Sequence, residues 1–364
     1  MSISDSTPSP ARLFSFTRCE NDETCRYKRY LSREWGGTGL VPIQDGWDLY
    51  FGGCLHRQLD VLAKTGTVDP LVVRQEVYDE ALKYFDAIHA QDWAMLAEGL
   101  IRGFVKAIWP VWMREYEVFD SERWISYEAA PGFIFRARQD LLLKSRRDGH
   151  LRYIEYKTTG SDKPEWIASW AKSVQIHSSM YVLKAAQGLE VADCVVQGLY
   201  KGYKDKKKLM QRSVFSYGNV NRQYSMTPEY SYEYQRSKGW ESFSTWNEFK
   251  DLTEWVEGMP HEILMNQFPQ TGPIPPREDI AETWFRQQLI REAEVSHAME
   301  MLAKADTVES IQRILDTYFR QNFSHCEPAY GFKCEFRHLC WQPWVAADPL
   351  ESKLYKRYDA EAVE

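Results

Sequence analysis

The sequence predicts an α/β fold, with a central mixed sheet flanked by helices and helical insertions between its parts. Three observations carry that prediction. Phe133 to Lys157 reads as two strands of β-forming residues, FIFRARQDLLLK and YIEYKTT, joined across SRRDGH, where Asp148-Gly149 is a favoured tight-turn pair. A helix is expected next, from about Pro164 to Gly188, with Trp166, Trp170, Val174, His177 and Tyr181 at helical spacing on one stripe. The apolar run DCVVQGLY then supplies a further strand, and RSVFSY another.

The remaining elements follow in order. Residues 10 to 35 are expected to form a first helix and 47 to 66 a second, the latter with Leu55, Leu59 and Leu62 close to one side. Residues 75 to 115 read as a mostly helical insert holding Trp93, Trp109 and Trp112. The sheet spans about 117 to 217 and opens on EYEVFDSERWISYEA. Beyond it, Ser242 to Gln267 and Glu278 to Asn322 read as helices separated by the breaker-rich FPQTGPIPPRE. The expected organisation is a single domain over residues 1–345 with a helical region at about 240–322, followed by a flexible acidic tail at 346–364. Treating the helical region as a second domain is the alternative.

With 364 residues, 44% of them hydrophobic and 27% charged, the chain has the composition of a soluble globular protein that can bury a core. A net charge of −7 argues against a surface coated in basic residues to hold nucleic acid, so local charge matters more. The run KGYKDKKKL lies between two expected strands and offers Lys201, Lys204, Lys206, Lys207 and Lys208, interleaved with Tyr200 and Tyr203. Such a tip can contact phosphates while a ring stacks on a base, and it serves equally as a solvated turn that protects a sheet edge. The 14 Trp, 21 Tyr and 17 Phe are core material by default and stacking surfaces where exposed. No window is long and apolar enough to cross a bilayer, and MSISDSTPSPARLF lacks the features of a secretory signal, so no membrane partner is expected and an intracellular setting is.

Strand alternation puts Glu155 and Lys157 on one face of their strand and Ile154 and Tyr156 on the other. Asp140, from the neighbouring strand, can join Glu155 to hold a hard divalent cation through oxygens, with Lys157 beside it to stabilise negative charge or orient a water. Those are the tools of phosphodiester hydrolysis. On spacing alone, a solvated Glu-Lys pair is the commoner explanation.

A second signal lies near the C-terminus, where HCEPAYGFKCEFRHLCWQ spaces Cys326, Cys334 and Cys340 as C-x7-C-x5-C. The cysteine count is seven, an odd number, and nothing marks the chain for secretion, so metal ligation explains the cluster better than disulfides. Cys54 and Cys194 sit in apolar surroundings and read as small buried side chains.

The Asp, hairpin, Glu-x-Lys order resembles the signature of the PD-(D/E)xK nucleases, and YIEYKTT is similar to their lysine strand. FGGCLHRQLDVL supplies Gly52 and His56 in the G-x-x-x-H pattern of the RecB-like branch. The resemblance implies an αβββαβ core and a metal-dependent deoxyribonuclease. Mg2+ or Mn2+ would sit at His56, Asp140 and Glu155, joined by the Tyr156 backbone carbonyl, with Lys157 assisting the attacking water. The branch also carries a Q-x3-Y pair after the lysine strand. Here Tyr181 fits the tyrosine, while His177 stands four residues before it and Gln175 six, and either can fill the glutamine role.

Tyr330, Gly331, Cys334, Phe336 and Cys340 are similar to the C-terminal run of RecB-like nucleases that carry a 4Fe-4S cluster. That resemblance implies four thiolates: Cys326, Cys334 and Cys340 with one from the first helix. Cys19 has the family's upstream context in Leu13 and Phe16, and Cys25 its downstream context in Arg26, Lys28 and Tyr30. Cys25 is favoured. A Zn2+ site using three cysteines with Cys25, His325 or His338 is the alternative. The resemblance further implies exonuclease action on DNA ends or single strands, in recombination, repair, CRISPR adaptation or phage DNA processing. A helicase, integrase or recombination partner, and the cytoplasm of a prokaryotic or phage-infected cell, come with it. A non-catalytic DNA- or protein-binding module and a restriction-type endonuclease are the competing classes.

Overall fold

The computed structural model describes residues 12–43, 47–160, 164–201, 252–259, 261–326, 334–342, 345–346 and 348–358. The expected strand RSVFSY, Lys204, Lys206, Lys207 and Lys208, the start of the helix from Ser242, and Tyr330 and Gly331 lie outside the described residues. The strands are β1 (Arg12–Phe14), β2 (Leu40–Pro42), β3 (Tyr116–Ala130), β4 (Phe133–Ser145), β5 (Leu151–Thr159), β6 (Val191–Tyr200) and β7 (Tyr355–Arg357). β1, β4, β5 and β6 are neighbours in that order and β3 pairs with β4, which makes one five-stranded mixed sheet; β2 and β7 form a separate antiparallel pair. The chain divides into two units, one of Met1–Gly46, Ser126–Ala137 and Asp279–Glu364, the other of Trp47–Ile125 and Arg138–Glu278.

In the second unit, β4 and β5 form the hairpin that Asp148-Gly149 calls for. Ser145 N–H donates to the His150 carbonyl at 2.9 Å, Gly149 N–H to the Ser145 carbonyl at 3.0 Å, and Gly149 takes a φ of 74°, where a side chain is strained. β6 runs parallel to β5, and its residues from Cys194 to Leu199 are buried on both faces, as a parallel strand covered on both sides requires. The segment read only as breaker-rich lies along β6: Cys194 and Ile274 exchange backbone hydrogen bonds at 2.8 and 2.9 Å, and Gly198 N–H donates to the Pro269 carbonyl at 2.7 Å.

Helices cover the apolar face of this sheet. Ala90, Ala94, Ala97, Leu100, Ile101 and Phe104 recur at helical spacing along Ala87–Ala107 and are fully buried, in one core with Leu141, Leu143, Ile154, Tyr156 and Leu199 of the strands. Helix Pro70–Ala81 starts where Asp69 accepts the Leu71 N–H and Pro70 needs no partner for its nitrogen. The expected helix from Pro164 to Gly188 is two helices, Pro164–Ser169 and Val174–Gln187, with a 3-10 turn at Trp170–Lys172 and Ser173 extended (φ −71°, ψ 117°) as the second N-cap. The single aromatic stripe is therefore cut at its midpoint.

The first unit departs further from expectation. β1 occupies the start of the predicted first helix, because Arg12, Leu13 and Phe14 pair in parallel with Phe133, Ile134 and Phe135. Helical structure begins only at Phe16. Phe14, Phe135, Trp284 and Phe285 form an aromatic cluster with centroid separations of 5.0 to 5.8 Å. Arg29 is nearly inaccessible, its fork paired with Glu292 at 2.8 and 2.9 Å, and Arg12 bridges Glu292 and Glu34. The helix expected from Glu278 to Asn322 stops at Lys304 and restarts at Val308, where Thr307 and Ser310 form a reciprocal capping box. β7 falls within the expected flexible tail, held there by pairing with β2. Among the described residues, no helix is long and apolar enough to cross a membrane.

Candidate active site

The β4–β5 ladder ends at Leu141 opposite Ile154, so one residue further on Asp140 and Glu155 stand opposite each other where pairing has stopped. The Tyr156 N–H that would have continued the ladder donates to Asp140 Oδ2 at 2.7 Å. Because the N–H and C=O of a strand residue point to the same edge, the Tyr156 carbonyl faces the same gap. Both acids are buried, at 7% and 3% exposure. A buried carboxylate needs partners, and each has a distinct set.

Asp140 Oδ1 lies 3.3 Å from His56 Nδ1. The imidazole comes from helix Trp47–Thr65, and Gly52, one turn earlier, explains how that helix gets close enough. A Cβ at Gly52 would lie 3.3 Å from Thr158 Oγ1 of β5, tighter than ordinary contact. The His56 ring then meets the Tyr156 ring edge-on at 5.8 Å. A third acid, absent from the sequence expectations, completes the group: Glu122 Oε1 is 3.9 Å from His56 Nδ1, and Arg138 Nε donates to Glu122 Oε2 at 2.8 Å. Glu122 has a φ of 49° inside β3, a left-handed conformation that a non-glycine residue rarely adopts in a strand. Among the described residues, His56, Glu122 and Asp140 are the one group of three or more potential metal ligands whose donor atoms lie within 4.8 Å of one another.

Glu155 faces other partners. Lys157 Nζ is 2.6 Å from Oε1, Gln175 Nε2 donates to the same oxygen at 2.8 Å, and the buried Tyr153 hydroxyl donates to Oε2. Of the two residues expected as alternatives for the glutamine role, Gln175 makes this contact with Glu155. His177 does not: its Nε2 lies 3.2 Å from the Ala171 carbonyl. Tyr181 lines a cleft of about 360 Å³ with His150, His177 and Lys184, whose walls include none of His56, Asp140, Glu155 or Lys157. Lys201 is paired with Asp48.

The electrostatics divide the acids. Burial opposes charge on His56, yet Asp140 and then Glu122 outweigh it and raise the imidazole pKa. Burial likewise favours a neutral Asp140, but His56, Lys157 and the Tyr156 N–H hold its pKa below the ordinary value. Burial pushes Glu155 up to about 7, against the pull of Lys157 and with help from Asp140. Glu122 is raised by burial and Asp140, with Arg138 opposing. Two buried carboxylates held toward the neutral form, beside an Asp140 held toward the charged one, favour added positive charge. The donor set, one imidazole nitrogen and several carboxylate oxygens, suits Mg2+ or Mn2+.

In the first unit, Cys334 N–H donates to the Cys326 carbonyl at 3.0 Å, and Cys25 Sγ accepts the Asn322 N–H at 3.3 Å. Burial, then Cys326, Cys334 and Cys25, push the Cys340 thiol up to about 12. Cys25 is therefore near enough to Cys340 to disfavour its thiolate. Cys19 is raised by burial and by Glu292, with Arg29 opposing, and belongs to the buried ion-pair network instead.

Sequence reasoning missed Glu122, Arg138 and Tyr153. Arg138 and Tyr153 carry a usable signal, since each lies two residues from a site acid and shares its strand face. Glu122 has none, because its aim depends on a left-handed residue inside an otherwise regular strand. No curated protein matches the chain. A family model described as the PD-(D/E)XK nuclease superfamily matches residues 13–341, spanning both units, the hairpin and the acids. With most of its length accounted for in this way, the chain belongs to the PD-(D/E)XK nuclease superfamily.

Proposed function

We propose that this protein is a divalent-metal-dependent deoxyribonuclease, an exonuclease acting at DNA ends or on single strands. One observation carries the reading: a histidine-acid ligand group and an acid-lysine pair meet through Asp140, which touches His56 on one side and the Tyr156 N–H, beside Glu155 and Lys157, on the other. His56, Asp140, Glu122 and the Tyr156 carbonyl would hold Mg2+ or Mn2+, with Glu155 completing the set once a cation draws it from Lys157. When bound, the metal lowers the pKa of a coordinated water and neutralises charge on the scissile phosphate.

The chain's own residues do the rest. Lys157 sits where its ammonium can stabilise the developing phosphorane charge or orient the attacking water. Gln175 and the Tyr153 hydroxyl fix the Glu155 carboxylate in place, which holds the reacting groups in register. Burial of both acids keeps competing water out of the gap between β4 and β5.

Cys25, Cys326, Cys334 and Cys340 are proposed as the ligands of an iron-sulfur cluster that ties the chain's ends together. A zinc site on the same thiolates is the alternative, because zinc accepts the same ligands.

The test uses end-labelled single- and double-stranded DNA with wild type and Lys157→Ala, with and without Mn2+ or Mg2+. Metal-dependent shortening by wild type, reduced about 10²- to 10³-fold in Lys157→Ala with DNA binding retained, is expected. Wild type that binds DNA and never cuts it under any metal condition replaces the enzyme with a binding module.

A further inference from the structure

Two tryptophans border the acidic centre, and each is linked to it through a cation. Trp124, on β3 two residues beyond Glu122, is 45% exposed, and the Arg138 guanidinium lies 5.5 Å from its ring centroid. The same guanidinium donates to Glu122. On the strand paired with the other side of the ladder, Lys157 Nζ lies 5.5 Å from the Trp170 ring centroid while it bonds Glu155 at 2.6 Å. Trp170 is supported in turn by Trp166, edge-on at 5.8 Å. Trp166 is itself seated over Gly198, where a Cβ would come within 2.9 Å of its Cη2. The arrangement of ring, cation and carboxylate therefore occurs twice: Trp124 and Glu122 of β3 with Arg138 of β4, and Trp170 of the 3-10 turn with Lys157 and Glu155 of β5.

We propose that Trp124 and Trp170 form a base-stacking subsite that selects unpaired DNA, a deepening that rests on the nuclease reading above. An indole face beside a guanidinium or ammonium offers a base its π-surface and a phosphate its counter-charge from the same few ångströms. Bases inside a duplex are stacked on each other and cannot present their faces; bases of a single strand or frayed end can. With a net charge of −7 on the chain, attraction of a phosphate rests on local positive groups, a bound metal and these two cations among them. Nearly half the surface of Trp124 lies in solvent on the strand that supplies Glu122, so a ring face is within reach of a ligand.

The experiment measures binding of fluorescent single-stranded and blunt duplex oligonucleotides by anisotropy, with Ca2+ replacing Mg2+, for wild type, Trp124→Ala, Trp170→Leu and Trp124→Phe. Steady-state cleavage of both substrates in Mn2+ accompanies it. Loss of one stacked base should weaken single-strand affinity roughly 5- to 150-fold. The rise should fall on KM more than on kcat, with Trp124→Phe restoring most of it and duplex affinity changing less than twofold. Trp170→Leu keeps apolar bulk under Lys157, so a packing role alone leaves its binding intact. Equal weakening on both substrates, or none on either, overturns the subsite. Wild type that cuts while all variants bind as it does removes the subsite and spares the nuclease; wild type that prefers single strands through these tryptophans but never cuts does the reverse.

Discussion

Replacing Glu155 with glutamine should stabilise the metal-free protein at alkaline pH while abolishing cleavage. Burial raises the Glu155 pKa from 4.5 to about 7. Between those values the folded chain holds a proton that the unfolded chain has released, so stability falls as pH rises through this window. At about 1.4 kcal/mol per unit, the cost of ionising Glu155 above pH 7 has a ceiling near ~3 kcal/mol. The pull of Lys157 is already contained in that ceiling, and because Lys157 is 28% exposed and the site can relax toward water, a net gain of about 1–2 kcal/mol remains. Asp140, whose pKa is lowered, works in the opposite sense over a more acidic range, and it cancels in the comparison because both proteins retain it. Urea unfolding in EDTA at pH 4.5 and pH 8 measures the effect: Glu155→Gln should match or trail wild type in acid and exceed it at pH 8. A variant less stable than wild type by the same margin at both pH values refutes the reasoning, because Glu155 would then be a net stabilising ion pair.

Glu122→Gln should weaken Mn2+ binding about 10- to 100-fold in calorimetric titration, and unchanged affinity would show that Glu122 serves only to hold Arg138. Gly198→Ala should destabilise by about 1–3 kcal/mol in thermal melting, since its methyl would lie 2.8 Å from both Pro269 Cγ and the Pro269 carbonyl oxygen; an unshifted midpoint contradicts that close approach. Protein purified without oxygen should be brown and absorb visible light, with colour and iron content lost in Cys340→Ser. Colourless wild type containing one zinc per chain would assign the cysteines to zinc.

The hairpin and its acids were legible because they depend on local rules. Asp148-Gly149 sets the turn, alternation sets the faces, and Asp140, Glu155 and Lys157 follow from both. Which of Gln175 and His177 contacts Glu155 was not legible, since it depends on the break at Ser173, where a polar residue in a helix-compatible pattern takes the N-cap position instead. The same limit hid β1: three residues with no strand signature of their own become a strand because β4 offers them an edge. Glu122 needed a backbone conformation that its residue type disfavours, whereas Arg138 and Tyr153 lay within reach of the alternation rule that placed the acids.

The central claim is that His56, Asp140 and their neighbouring acids form one metal-binding nuclease centre. Crystals soaked in Mn2+ and measured for anomalous scattering test it most directly. A strong peak bonded to His56 Nδ1 and Asp140, with Glu122 or Glu155 and the Tyr156 carbonyl in reach, is the predicted result. Manganese bound elsewhere with that pocket empty at saturating metal, in protein that degrades DNA, would contradict it.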